Sequence, residues 1–405
     1  MIVVLIYSII SLFFLIFCET NIYCWLLFLF IVLSLIIGWK KYMLKRKTMF
    51  ILLIPTLCIT LLFIGKEGKV SVMGSLTREV YGRFLSNTYS DIFTRDAERI
   101  KEENIERYNG DWSIPEGYTN DVITMDNFKM ELIKNTSSDS NKVILQLHGG
   151  GYVFGLDKSY RDIAVRYSKL SMGAAVLTPD YRVGTISPYP AALNDAVEAY
   201  KWLIEHGYNG DNIIVVGDSA GGGLALGTVL YLKNNNIELP AGVITMSAWT
   251  NLACDSESYK NNVDKDVIFG PILGANSDFN PSDIPYVGNN NIKDPYLSPL
   301  YGDYEGFPKM LMQVGTNELL YDDTINVYEK AKSQGVDVKE TTYYGMFHCF
   351  QLGGDKLPEG TEAWKEVEEF INSIWLYFSL CYTQKYVVIC WNKEGKYEEN
   401  DILEC

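Results

Sequence analysis

Gly217-Asp218-Ser219-Ala220-Gly221 sets a serine between two glycines, where the apolar run "NIIVV" gives way to the helix-like "GGGLALGTVLYLKNN". A GxSxG between strand and helix holds its serine on a sharp turn, the hydroxyl clear of the sheet and the next N–H at a helix start. That is an arrangement for nucleophilic chemistry. A hydroxyl becomes a useful nucleophile only when a base takes its proton, and the chain has three histidines to choose from. His206 ends a helical run before "GYNG", where a cation faces a helix C-terminus and an exposed cap is the better reading. His148 precedes three glycines, where holding the loop by hydrogen bonds is favoured over base duty. His348, in "GMFHCF" after the last strand, is left as the base.

An imidazole acting as base needs a carboxylate to fix its tautomer and stabilise the imidazolium. "VGTNELLYDD" offers Glu318, Asp322 and Asp323. Glu318 stands closest to the strand end and is preferred; Asp322 and Asp323 fall where a helix begins, a place that favours negative charge without any catalytic role. The stretch "VILQLHGGGYVFG" then raises its own question, because a buried strand ends at His148 and discards its side chains at Gly149, Gly150 and Gly151. Attack on an ester creates an oxyanion that preorganised N–H donors stabilise. Gly149 and Gly150 are expected to supply two donors and Ala220 a third. The alternative is a glycine turn that merely ends the strand.

The elements around these residues alternate. "KVILQLH", "AAVLTPDY", "NIIVVGDSA", "AGVITMSAW", "KMLMQVG" and "VKETTYY" read as strands, and "SYRDIAVRYSKLS", "PAALNDAVEAYKWLIEH", "DDTINVYEKAKSQG" and "EAWKEVEEFINSI" as helices. Before them, "DVITMDNFKMELIK" reads as two strand pieces with a turn at Asp126 and Asn127. Alternation of this kind predicts a mostly parallel sheet covered by helices on both faces, with ligands at the carboxyl ends of the strands. Residues 79–109 read as helices, and residues 252–301, rich in Asn, Asp and Pro, lack the alternation. Together they are expected to form a small cap.

The chain of 405 residues is 48% hydrophobic and 21% charged, enough for one large or two smaller folded domains. Its net charge of -15 argues against a nucleic-acid partner, which needs a basic face. Three apolar runs open the chain, Met1 to Cys18, Ile22 to Trp39 and Met49 to Gly65. Each is near the length of about 20 residues that spans a bilayer. The expectation is a membrane anchor of about three transmembrane helices over residues 1–65, contacting bilayer lipid. A cleavable signal peptide is the alternative for the first run, but no positive residue precedes it. The loop "KKYMLKRK" between the second and third runs is basic, which keeps it in the cytoplasm and puts the rest outside. Lys66, Lys69 and Arg78 weaken that asymmetry. The cysteines outside these runs, Cys254, Cys349, Cys381, Cys390 and Cys405, are an odd five with no CxxC spacing and give neither a zinc site nor an obvious pairing, although an extracytoplasmic domain leaves room for a pair in the tail; no cofactor is expected.

"HGGGY", "PDYR", "GDSAGG", "VGTNELLYDD" and "HCF", in that order, resemble the hormone-sensitive-lipase-like esterases of the α/β-hydrolase fold. The resemblance runs from about Asp121 to Ile374, and less clearly from Glu79. It implies an α/β-hydrolase domain over residues 66–374, Ser219 as nucleophile, His348 as base, Glu318 as the third member, and an oxyanion hole at Gly149, Gly150 and Ala220. Short acyl esters are the substrates it implies; the expected place outside the cytoplasm beside a membrane adds acetylated surface glycans to small-molecule esters as candidates. Two departures stand out: the family usually has aspartate where Glu318 stands, and neither the membrane runs nor the tail, residues 375–405, belongs to its catalytic unit. The tail is expected to add a strand or helix to the domain. Transfer of the acyl group to another alcohol or amine, or an inactive binding module on the same fold, are the rival functions.

Overall fold

The computed structural model describes residues 70–273 and 279–391. The three apolar runs before Gly65 lie outside these residues. Among the described residues no helix is long and apolar enough to cross a membrane.

Eight strands form one sheet: β1 Tyr118–Thr124, β2 Lys129–Asn135, β3 Val143–Leu147, β4 Ala175–Asp180, β5 Ile213–Asp218, β6 Gly242–Met246, β7 Lys309–Gly315 and β8 Val338–Tyr343. Their spatial order is β1-β2-β4-β3-β5-β6-β7-β8. The β1–β2 hairpin pairs antiparallel with itself and with β4, and every other pairing is parallel. This is the mostly parallel sheet that the alternating elements predict.

Side chains of a strand alternate between the two faces, so a strand covered on both sides must be apolar throughout. In β3, Val143, Leu145 and Leu147 pack on one face with the helices Ala191–Glu205, Ser219–Asn234 and Tyr321–Ser333. Ile144 points the other way, into a cluster with Val165 of the helix Lys158–Leu170 and Trp364, Val367 and Ile371 of the helix Pro358–Trp391. Full burial of each such aliphatic side chain contributes about 1.5–3 kcal/mol. The helix Ser219–Asn234 has no polar face over its first turns because its residues Ser219 to Leu230 are all buried.

The region before the sheet consists of the helix Val72–Thr77, a π-helical turn Arg78–Gly82, and the helices Arg83–Tyr89 and Ala97–Tyr108. Arg161 fastens this region to the sheet. Its guanidinium makes two hydrogen bonds to Glu131 of β2, at 2.9 and 2.8 Å, and a third to the Tyr108 carbonyl. Among the described residues of 252–301 there are only short helical turns, Ser258–Asn261, Gly270–Leu273, Pro281–Asp283 and Pro299–Tyr301. Buried polar groups hold them instead: the Asp266 carboxylate accepts from Ile268, Phe269 and Leu319 N–H. The last helix, Pro358–Trp391, runs on past residue 375.

Candidate active site

The carboxyl ends of β3, β5, β6, β7 and β8 bring five short loops together. Parallel register sets Leu147 beside Gly217, Asp218 beside Met246, Met246 beside Gln313, and Gly315 beside Tyr343. Residues immediately after these positions therefore emerge on one edge. Ser219 follows β5, Glu318 follows β7 and His348 follows β8.

Ser219 begins its helix with φ at 53°, the left-handed region that a non-glycine residue enters only under constraint. The flanking glycines supply the room. A Cβ on Gly217 would come within 2.2 Å of the Gly221 carbonyl oxygen, and one on Gly221 within 2.1 Å of the Leu147 carbonyl oxygen. The Ser219 hydroxyl lies 2.9 Å from Nε2 of His348, and Nδ1 of His348 lies 3.0 Å from Oε2 of Glu318. Glu318 is fully buried; its Oε1 accepts from Gly315 N–H at 2.6 Å and from the Ser247 hydroxyl at 2.8 Å. Phe269, from the irregular region, meets the His348 ring edge-on with centroids 4.8 Å apart. Hydroxyl, imidazole and carboxylate form one hydrogen-bonded line.

The two neighbouring carboxylates do other work. Asp322 accepts from Ser258 N–H, while Asp323, fully buried, accepts from Thr250 and Asn251 N–H at 2.9 Å each. Burial holds the Asp323 carboxyl well above the usual range. Both tie the segment after β6 to the start of the helix Tyr321–Ser333. His206 is the exposed C-cap of its helix, bonded through Nδ1 to the Trp202 carbonyl and stacked on that indole. His148 is buried, stacked on Tyr181 with centroids 4.1 Å apart, and donates from Nδ1 to the Gly149 carbonyl. Desolvation pushes its pKa down to about 4, so the ring is neutral at pH 7 and serves the loop.

One expected donor needs correction. Gly149 N–H is committed to the Tyr160 hydroxyl at 2.8 Å, and a Cβ at Gly149 would come within 2.4 Å of Asp218 Oδ2. This glycine is there for close packing against the elbow, and its N–H is not free for an oxyanion. Gly150 and Gly151, with φ at 119° and 64°, have N–H groups with no acceptor among the described residues. Gly151 stands in the same glycine run but was not among the donors expected from the sequence. Tyr160 was missed too. Its hydroxyl accepts from Gly149 and donates to Asp218 at 2.9 Å, and burial pushes the Asp218 carboxyl up to about 6. Cys349 has φ at 53° and puts its sulfur 3.4 Å from His348 Nε2; burial raises its thiol pKa well above the usual range, so it stays protonated.

Comparison with known proteins gives the family. Residues 144–352 match the family model described as alpha/beta hydrolase fold. An acetyl-hydrolase of Streptomyces hygroscopicus is 31% identical over 275 residues, covering 68% of this chain and 89% of that protein. An esterase of Acinetobacter venetianus is 32% identical, covering 60% of this chain and 78% of its own length. Among solved structures, an esterase from the bacterial hormone-sensitive lipase family superposes with a TM-score of 0.62 at 30% identity, covering 72% of this chain and 96% of that one. The chain belongs to the hormone-sensitive-lipase-like esterases of the α/β-hydrolase fold, and is a carboxylic ester hydrolase.

Proposed function

We propose that this chain is a membrane-anchored serine carboxylesterase that hydrolyses short acyl esters, acetyl esters foremost, through Ser219, His348 and Glu318. The observation that carries the reading is the unbroken line from the Ser219 hydroxyl through His348 to Glu318, at 2.9 and 3.0 Å. Ser219 attacks the ester carbonyl carbon as its proton passes to His348 Nε2, and Glu318 stabilises the imidazolium formed. The carbonyl oxygen becomes an oxyanion held by Gly150, Gly151 and Ala220 N–H. Collapse breaks the bond to the alcohol, which leaves with the proton from His348. Water, deprotonated by the same nitrogen, then attacks the acyl-enzyme, and the acid departs as Ser219 regains its proton.

Acetyl groups as the acyl part are supported by the similarity to the acetyl-hydrolase. The N-terminal apolar runs support anchoring to lipid, and the basic loop before the third run supports an extracytoplasmic active domain. In that position acetylated surface glycans join small esters as substrates. The segments around residues 79–109 and 252–301 serve as the cap, the second packing Phe269 against His348. Purified protein is expected to hydrolyse p-nitrophenyl acetate, and Ser219→Ala to lower kcat by about 10⁶-fold. Equal rates for the two proteins contradict the reading.

A further inference from the structure

Ser247 is the first residue after β6 and is fully buried. Its hydroxyl donates to Glu318 Oε1 at 2.8 Å and accepts from Cys349 N–H at 3.1 Å, while its own N–H donates to the Gln313 carbonyl of β7. One oxygen atom therefore joins the carboxylate that faces His348 to the residue that follows His348. Its backbone has φ at 50°, where glycine costs less than any L-residue. A side chain at such a position needs a use, and the two hydrogen bonds are that use.

We propose that Ser247 is a positioning residue for the ester hydrolysis proposed above, on which this inference rests: it turns Glu318 so that Oε2 meets His348 Nδ1 and anchors the histidine loop at Cys349. Glu318 has three partners in the site. Gly315 N–H and the Ser247 hydroxyl share Oε1, which leaves Oε2 to the imidazole. Gly315 N–H alone is close to the carboxylate's own attachment and leaves its rotation about the last side-chain bond loosely set, a torsion with a broad, roughly two-fold preference. The Ser247 hydroxyl comes from a different strand and closes that freedom. Without it, Cys349 N–H also loses its acceptor in a part-buried place, so the loop carrying His348 would shift to find another.

The decisive variant is Ser247→Gly, because glycine relieves the left-handed backbone while its loss of the side chain takes the hydroxyl away. Ser247→Ala, which keeps the strain, is its partner should the glycine variant fold poorly. Each is compared with wild type and Ser219→Ala for p-nitrophenyl acetate kinetics, thermal unfolding, and the low-field proton resonance of His348 Nδ1–H. The expected result is a fall in kcat of about 10- to 100-fold, the scale of one hydrogen bond to a charged group. KM stays within about twofold, the Ser247→Gly melting temperature does not drop, and the low-field resonance moves or broadens. A wild-type kcat in either variant overturns the proposal, as does a lower kcat with that resonance unmoved, which would mark a purely structural role. Failure of the esterase reading is separable: it appears as equal rates for wild type and Ser219→Ala.

Discussion

The Tyr160 hydroxyl donates to Asp218 Oδ2 at 2.9 Å while accepting from Gly149 N–H at 2.8 Å. A single phenol thus couples the glycine loop after β3 to the residue before the nucleophile. The loop's remaining glycines, Gly150 and Gly151, keep their N–H groups available because Gly149 is held from outside the site. Tyr160→Phe is expected to lower kcat about tenfold or more, because it removes both hydrogen bonds and leaves Gly149 N–H and the Asp218 carboxyl without that partner. Steady-state kinetics with p-nitrophenyl acetate checks this, and an unchanged kcat would mean that the loop holds its shape without the phenol.

Gly150 has φ at 119°, and a Cβ there would come within 2.9 Å of the Phe154 carbonyl oxygen. Gly150→Ala therefore forces the loop to move and takes a donor away from the oxyanion. The expected loss in kcat is about 10²–10³-fold, with folding retained by thermal melt. Gly149→Ala, by contrast, should lose activity mainly through displacement of Asp218 and Tyr160, and its melting temperature should fall with its rate. Measuring kcat and melting temperature together for both variants distinguishes the two roles.

Stability of the region before the sheet rests on the Arg161–Glu131 pair. Both side chains are almost fully buried, and Arg161 lies over the Tyr108 ring. Burial pushes the Glu131 carboxyl up, but the hydrogen bonds from Arg161, Asn120 and Tyr108 and the Arg161 charge together outweigh it, and the net shift is downward. Removing one partner leaves the other's charge buried, so Arg161→Ala is expected to cost about 3–5 kcal/mol. Urea unfolding followed by tryptophan fluorescence measures this directly. A change below about 1 kcal/mol, the range of a surface pair, would contradict the account.

His148 makes the fold sensitive to acid. Its ring has a pKa of about 4 in the folded chain against an ordinary 6.5, so between these values the unfolded chain binds more protons. The stability that His148 contributes is present above pH 6.5 and is lost as pH falls towards 4, at up to about 1.4 kcal/mol per pH unit. Asp218 and Asp180, both pushed up to about 6 by burial, act in the opposite sense, since the folded chain holds their protons longer. In His148→Asn the stability deficit against wild type should shrink as pH is lowered from 6.5 to 4. Urea melts across that range would show it, and a constant deficit would mean that the ring titrates normally.

Much of this site is written in local patterns. The elbow is legible because Gly217 and Gly221 flank the serine at a change from strand to helix, and Glu318 because it stands nearer the strand end than Asp322 or Asp323. His206 and His148 are separable from His348 by what surrounds them. Gly149 misleads because its role is decided by Tyr160, eleven positions along, and by Asp218 on another strand. No spacing within "HGGG" reveals which glycine faces a neighbour. Ser247 is similarly hidden: a serine ending a buried strand has no pattern of its own, and its importance comes from Glu318 and Cys349 arriving from β7 and β8. The irregular stretch of residues 252–301 is readable as a departure from alternation, but its hold on the site through Asp266 and Phe269 depends on tertiary contacts.

Activation of Ser219 by His348 is tested most directly by reaction with a fluorophosphonate probe, followed by peptide mapping of the adduct. Wild-type protein should carry a single adduct on Ser219, and His348→Ala should label at least about 10³-fold more slowly with its fold intact. An adduct on any other residue, or labelling of Ser219 at the wild-type rate without the imidazole, would contradict the account.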